Sequence, residues 1–223
     1  MLSRHTRRPV RNPIFAFIFE RLAARNEQRG QAQLREELLA GLTGRVLELG
    51  PGTGLNFEHY PSTVDVVIAV EPEVTLRQKA AVAASEATVR VLVVSGIAER
   101  IPTVDAAFDA VVVSGVLCSV SDVNEALAEV RRILRPGGEL RFYEHVRSDK
   151  AGRGRFQDVV NLVWPRFMGG CHPNRRSMAA IESAGYRVAR CRAFTFPPTA
   201  RISPVAPRIL GVARLEPEVS RES

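Results

Sequence analysis

The residues from Val46 to Phe57, VLELGPGTGLNF, constrain the fold more than any other stretch of this chain. An apolar run long enough for one strand gives way to glycine at every second position, Gly50, Gly52 and Gly54. Glycine tolerates left-handed backbone and lets the main chain approach a ligand closely, so the pattern predicts a strand, a tight turn and then a helix. Comparable apolar, β-branched runs follow at Val64–Val70, Val89–Val94, Phe108–Val113 and Glu139–His145, the first strand being Arg45–Leu49. Helical segments separate them. Continuous apolar strands alternating with helices predict a parallel sheet covered on both faces.

The clearest helix precedes the fifth strand. Asp122 and Glu125 have the spacing of a capping box, and Val123, Ala126, Leu127, Val130, Ile133 and Leu134 make one apolar face. Arg131, Arg132 and Arg135 suit its negative C-terminal end, and Pro136-Gly137-Gly138 stops it. Beyond residue 147 the sequence predicts a loop rich in Gly and Arg, helices at Phe156–Trp164 and Asn174–Ala184, and strands at Tyr186–Phe194 and Arg208–Arg214. Near the N-terminus Phe15, Ile18, Phe19 and Leu22 form a helical apolar stripe that Gly30 closes, and a short helix covers Ala32–Leu39. This segment, residues 1–41, reads as a lid over a site, a plain packing helix, or a surface anchor whose arginines meet lipid phosphates. A core over 42–147, further helices and strands of the same domain over 148–216 and a frayed tail over 217–223 complete the expected organisation.

A glycine turn at the C-terminal end of the first strand of such a sheet is a ligand site. A dinucleotide fingerprint would require a third glycine at position 55, where Leu55 stands. Glu48, two residues before the first glycine, would repel a pyrophosphate and welcome an amino group. Glu71 ends the second strand, where a carboxylate accepts ribose hydroxyls. Ala98 and Glu99 follow the third strand and are placed to meet an adenine edge. An amino group, a ribose and no phosphate describe S-adenosyl-L-methionine. Asn56 past the turn, Pro72 beside Glu71, and Ser114 and Leu117 past the fourth strand complete the expected cofactor contacts.

These motifs resemble those of the class I S-adenosylmethionine-dependent methyltransferases, and residues 45–147 are similar to the ubiquinone/menaquinone-biosynthesis type. LCSV (Leu117–Val120), LRPGGELRFYEHV (Leu134–Val146) and GGCH (Gly169–His172) resemble the methyltransferase-like thiol methyltransferases of mammalian membranes and their bacterial relatives. The resemblance implies a doubly wound, Rossmann-like α/β sheet of seven strands, mostly parallel with an antiparallel last strand. It implies a cofactor on the C-terminal strand ends, a variable lid and a small, largely apolar acceptor, with a thiol favoured over a quinol, phenol or lipid headgroup. The mammalian proteins carry a hydrophobic anchor. Ile14–Phe19 is too short to span a bilayer, so here the membrane location is not expected to transfer, although the basic N-terminus allows peripheral contact.

His145, at the end of the fifth strand with Glu144 beside it, is the expected proton acceptor or orienting group for the acceptor. Cys118, among Leu117, Val116 and Val120, reads more simply as an apolar filler than as a nucleophile. Cys171-His172 finds no matching spacing in His5, His59 or Cys191, so no metal is expected. Trp164, Phe167 and Met168 are candidates for an apolar pocket wall. The formal charge of +7 invites a nucleic-acid partner, but only Lys79 and Lys150 are lysines and no Asn/Asp-Pro-Pro-aromatic motif follows the fourth strand, so none is expected. A non-catalytic cofactor-binding module is the remaining alternative. Three cysteines without a disulfide framework, and no signal peptide, point to the cytoplasm.

Overall fold

The structure is a computed structural model, and it describes residues 11–200 and 202–215. Arg4, His5, Arg7, Arg8 and the tail expected over 217–223 lie outside the described residues. Seven strands form one sheet: β1 (Gly44–Leu49), β2 (Val64–Val70), β3 (Val91–Val94), β4 (Phe108–Ser114), β5 (Leu134–His145), β6 (Tyr186–Thr195) and β7 (Pro207–Leu215). Their order is β3-β2-β1-β4-β5-β7-β6. Strands β1 to β5 pair in parallel, and β7 runs antiparallel to both β5 and β6. This is the doubly wound, Rossmann-like sheet the motifs predict.

Helices α1 (Pro13–Asn26), α2 (Ala32–Leu39) and α3 (Val74–Glu86) precede β3, α4 (Val123–Ile133) joins β4 to β5, and α5 (Ala151–Val160), α6 (Trp164–Phe167) and α7 (Ser177–Ser183) precede β6. Alternation along β1 divides the core. Leu47 and Leu49 join Val111, Val113, Leu127 and Val130 on one face, whereas Val46 joins Leu38, Leu39, Val67 and Val112 on the other. Strand β6, an edge paired only with β7, is mostly exposed and carries Arg187, Arg190 and Arg192, which discourage further strand pairing.

Asp122 caps α4, accepting the backbone N–H groups of Asn124 and Glu125. Gly30, at φ 96°, marks the kink between a short π-helical turn (Glu27–Gln31) and α2, so the N-terminal helices turn there rather than separate. Besides shifts of two or three residues at the starts of β3 and α7, and two helices, α5 and α6, where one was expected over Phe156–Trp164, three features differ from expectation. Strand β5 starts at Leu134, which pairs with Phe108 across a register shift, so the chain enters the sheet before the Pro-Gly-Gly turn. Helix α5 starts at Ala151 and runs through the stretch expected to be a loop. Leu22 is 41% exposed, and Ala16 and Ala23 supply the buried face of α1 beside the half-buried Phe15 and Phe19.

Candidate active site

The C-terminal ends of β1, β2 and β4 open onto a cavity of about 470 Å³. Gly50, Gly52 and Gly54 adopt φ of 57°, 61° and 87°, a region that side chains disfavour, and so turn the chain sharply out of β1. Glu71, 5% exposed, lines the cavity just past β2. Its Oε2 accepts the Gly52 N–H at 3.0 Å and its Oε1 accepts the Glu73 N–H at 3.0 Å. Burial pushes its carboxyl up to about 7 against these bonds. Each oxygen thus keeps acceptor capacity for a ligand hydroxyl.

Gly50, Gly52, Glu71, Pro72, Ala98, Glu99 and Ser114 all line the cavity. The Glu99 carboxylate, however, accepts the N–H groups of Ser121 and Asp122 and so ties the loop after β3 to the start of α4. Glu48, Gly54, Asn56 and Leu117 stand behind this surface. Glu48 is buried on the α2/α3 side of β1, where it accepts Asn56 Nδ2 at 2.7 Å and the Tyr60 hydroxyl at 2.9 Å, while Arg35 donates to Asn56. Burial pushes the Glu48 carboxyl up to about 7. A Cβ at Gly54 would strike Ala83 and Phe57 at 2.8 Å, a packing requirement rather than a ligand one.

Helix α1 closes the cavity with Asn12, Phe15 and Phe19. Asn12 donates its N–H to Glu73, and Lys79 pairs with Glu20 at 2.5 Å, which fastens α1 to α3. A Cβ on Gly52 would lie 2.7 Å from the Phe19 ring, and one on Gly169 2.5 Å from the Phe15 ring. Two glycines therefore let the aromatic face of α1 settle onto the site. Pro165, Arg166, Gly169 and Gly170 form the opposite wall. Of the aromatic wall expected there, Phe167 is 69% exposed and faces away, and Trp164 and Met168 do not line the cavity.

Glu144 is buried with its carboxylate turned to the loop after β4 rather than to His145. One oxygen accepts the N–H groups of Val116 and Leu117 at 2.8 and 3.0 Å, and the other that of Cys118 at 3.2 Å. Burial pushes this carboxyl up to about 7 as well. His145 lies beside the cavity wall, with Nδ1 3.6 Å from Cys118 Sγ and 3.6 Å from Cys171 Sγ, and the two sulfurs are 3.7 Å apart. Burial holds its imidazole below the usual value. Cys118 is therefore not an isolated filler. His172 instead pairs with Asn161, His59 lies beside Glu36 and Glu58, and Cys191 is exposed on β6.

Such a sheet, with a glycine turn at β1 and a carboxylate at the end of β2, defines a Rossmann-like methyltransferase. Residues 47–142 match the family model of a methyltransferase domain. The chain is 33% identical to the thiol S-methyltransferase TMT1B of Mus musculus over 218 residues, covering 92% of this chain and 87% of that protein. It is 36% identical to the demethylmenaquinone methyltransferase of Mycolicibacterium gilvum over 106 residues, 48% of this chain and 44% of that one. A solved S-adenosylmethionine-dependent methyltransferase from Thermotoga maritima shares the fold with a TM-score of 0.66 at 21% identity, over 91% of this chain and 99% of that one. The chain belongs to the class I S-adenosylmethionine-dependent methyltransferases, and S-adenosyl-L-methionine is its cofactor.

The residues fit that cofactor. Gly50 and Gly52, at positive φ, present bare main chain to the cavity, and the Val116 and Phe19 side chains that a Cβ there would strike, at 2.8 and 2.7 Å, themselves line it. Beside it, Glu71 faces the cavity with acceptor capacity to spare.

Proposed function

We propose that this enzyme methylates the sulfur of a small, largely apolar thiol. The observation that carries the reading is the extent of similarity to thiol S-methyltransferases, which covers 92% of the chain and so includes the substrate-side residues after β5. The similarity to demethylmenaquinone methyltransferase covers 48% of the chain and supports the cofactor half alone. Phe15, Phe19, Val116, Val120 and Pro165 give the cavity an apolar wall suited to such an acceptor.

When bound, the cofactor supplies an electrophilic methyl group on a sulfonium. Displacement at that carbon is in line, so the chain must orient the acceptor, exclude water and let one proton leave. Glu71 holds the ribose, and the main chain of the glycine turn and the apolar Ala98 shape the rest of the cofactor surface. Glu144 acts as a positioning residue: by gathering three N–H groups it sets the course of residues 116–118, whose neighbours Gly115 and Ser119 face the cavity. Phe15 and Phe19 cover the site and keep water from the methyl group. His145, in contact with Cys118 and Cys171 beside the cavity wall, is the group that orients the acceptor. A thiol of pKa about 8.5 needs little further activation.

Incubation with methyl-labelled cofactor and a panel of thiols, quinols, phenols, phospholipids and RNA tests the reading. Label recovered in thioethers is the expected result. Label confined to quinols or RNA overturns it.

A further inference from the structure

We propose that Cys118, His145 and Cys171 form a three-ligand site for a thiophilic divalent cation, zinc, whose fourth position receives the acceptor thiol. The second half of this statement rests on the thiol reading above; the metal site does not.

Geometry carries the argument. A tetrahedral zinc with Zn–S about 2.3 Å and Zn–N about 2.0–2.1 Å requires sulfurs about 3.8 Å apart and each sulfur about 3.5–3.6 Å from the nitrogen. The three edges here are 3.7 Å between sulfurs and 3.6 Å from each sulfur to Nδ1. Hydrogen bonding alone explains them less well. A neutral imidazole nitrogen has one lone pair and accepts from one thiol. Cys118 has the Gly115 carbonyl and Ser119 Oγ at 3.5 Å as other partners, so hydrogen bonds can satisfy both thiols. They do not, however, require Nδ1 to stand equally close to both sulfurs, as a shared cation does. A disulfide needs the sulfurs about 2.05 Å apart and has no use for the imidazole.

The ligands are also held in place from three directions. Cys118 sits in the loop after β4, with its N–H on Glu144, while His145 is the last residue of β5, the strand next to β4. The N–H of His172 donates to the Cys118 carbonyl at 2.7 Å, which clamps the loop carrying Cys171 against the loop carrying Cys118. Such pre-arrangement is what a metal site requires of its protein.

The donor set indicates the metal and its task. Two thiolates and an imidazole favour zinc over the hard cations magnesium and calcium. Structural zinc sites are closed by four protein ligands, whereas three ligands leave a position for water or substrate. Among the described residues the group contains three ligands and no fourth. It also lies against the cavity: Gly115, Val116, Ser119 and Val120 flank Cys118, Gly169 and Gly170 precede Cys171, and all six line the wall. A thiol entering the fourth position would release its proton to solvent. Its sulfur electron pair would then attack the methyl carbon to form the new carbon–sulfur bond as the carbon–sulfonium bond breaks, its bonding pair returning to the cofactor sulfur. The thioether formed is neutral, a weaker ligand than a thiolate, and leaves.

Cobalt(II) added to the metal-free full chain provides the test. We expect one cobalt per chain, visible bands of tetrahedral intensity and near-ultraviolet sulfur-to-cobalt charge transfer, with the visible bands shifting when thiophenol is added. Cys118→Ser and Cys171→Ser should each lose about half of the charge transfer. If either variant fails to fold, zinc-edge X-ray absorption on the wild type replaces it: two sulfurs at about 2.3 Å and one nitrogen at about 2.0–2.1 Å are expected, and a shell of oxygen and nitrogen alone overturns the site. Removing zinc should lower thiol methylation about tenfold or more without changing cofactor affinity. Absence of stoichiometric binding, or thiol methylation indifferent to chelation and to both variants, overturns the proposal even where the thiol reading stands. A cobalt spectrum unmoved by thiophenol overturns the role of the fourth position. A spectrum that shifts with thiophenol, in an enzyme that methylates only quinols, sustains the metal site and removes the thiol reading instead.

Discussion

Replacing Glu71 with Gln tests the cofactor site with little change of volume. In the free protein the two carboxylate oxygens each accept one backbone N–H, from Gly52 and Glu73. An amide can accept only one of these and must set its own NH₂ against the other, leaving a buried donor unpaired at a cost of about 1–3 kcal/mol that the free and the bound variant share, so it lowers stability rather than affinity. The amide also weakens two charge-assisted bonds to the ribose hydroxyls, each worth about 1.5–3 kcal/mol when intact. Part of that gain is already offset in the wild type, because the carboxyl has been pushed up to about 7 by burial and must lose its proton to accept both hydroxyls well. The net loss of affinity should be about tenfold to a hundredfold. The same value sets the sign of a pH effect. The ionised form binds, so wild-type affinity should rise about tenfold between about pH 6 and about pH 8, most of it before the carboxyl is fully ionised. Calorimetry with the demethylated cofactor on both proteins isolates this contribution, since the ligand's own titration is common to both. Equal affinities, or the same pH dependence in both proteins, would refute the assignment of Glu71 to the ribose.

Glu48→Gln should flatten the pH dependence of unfolding. Glu48 keeps its proton up to about 7 in the folded chain and loses it near 4.5 when unfolded, so about 3 kcal/mol of wild-type stability, full below 4.5, should disappear as pH rises to about 7; denaturant titrations of both proteins measure the difference. Gly52→Val should abolish cofactor binding while leaving the circular dichroism of a folded protein, because φ is 61° and the new Cβ would lie 2.7 Å from the Phe19 ring; normal affinity would mean that the turn does not form the pocket. Despite the charge of +7, filter binding should detect no specific RNA binding of the kind that falls steeply between about 50 and about 200 mM salt through several phosphate contacts; tight, salt-sensitive binding coupled to methyl incorporation would overturn the small-molecule acceptor.

Most strands were legible because a buried parallel strand is a continuous apolar run, and the expected Val64–Val70 coincides with β2. Boundaries moved where tertiary contacts outweigh local preference. Gly152 and Gly154 argue against a helix at α5, yet α5 passes through both. A Cβ on Gly154 would lie 2.8 Å from the Arg147 guanidinium, and buried Gln157 donates to the carbonyls of Val146, Pro173 and Pro204. Gly154 leaves room for the Arg147 guanidinium, which Asp158 of the same helix holds at 2.7 Å. No local pattern around residue 154 carries that information, since Arg147, Val146, Pro173 and Pro204 all lie outside the helix. Likewise Leu22 has helical spacing with Phe15 and Phe19, but α1 meets the body of the protein through Ala16 and Ala23, and a narrow contact favours the small side chains.

The same distinction separates the parts of the site. Strand-end reasoning states which residues reach the ligand-binding edge of the sheet; it does not state where a side chain points once the strand has ended. Glu71 has left β2 and faces the cavity, whereas Glu48 is still within β1, where alternation with Leu47 and Leu49 sends it to the opposite face and into contact with Asn56 and Tyr60. Parity could have distinguished the two carboxylates before any coordinates. It could also have drawn Cys118 and His145 together, since they follow or end adjacent parallel strands at one edge of the sheet. Cys171 could not have been placed in that way. Its position depends on a loop far along the chain from β4, clamped by the bonds from His172 to Cys118 and from Arg175 to Val120. The cavity edge at the glycine turn is thus built from strand ends, which sequence periodicity reveals, and the wall beside Cys171 from long-range loop contacts, which it does not.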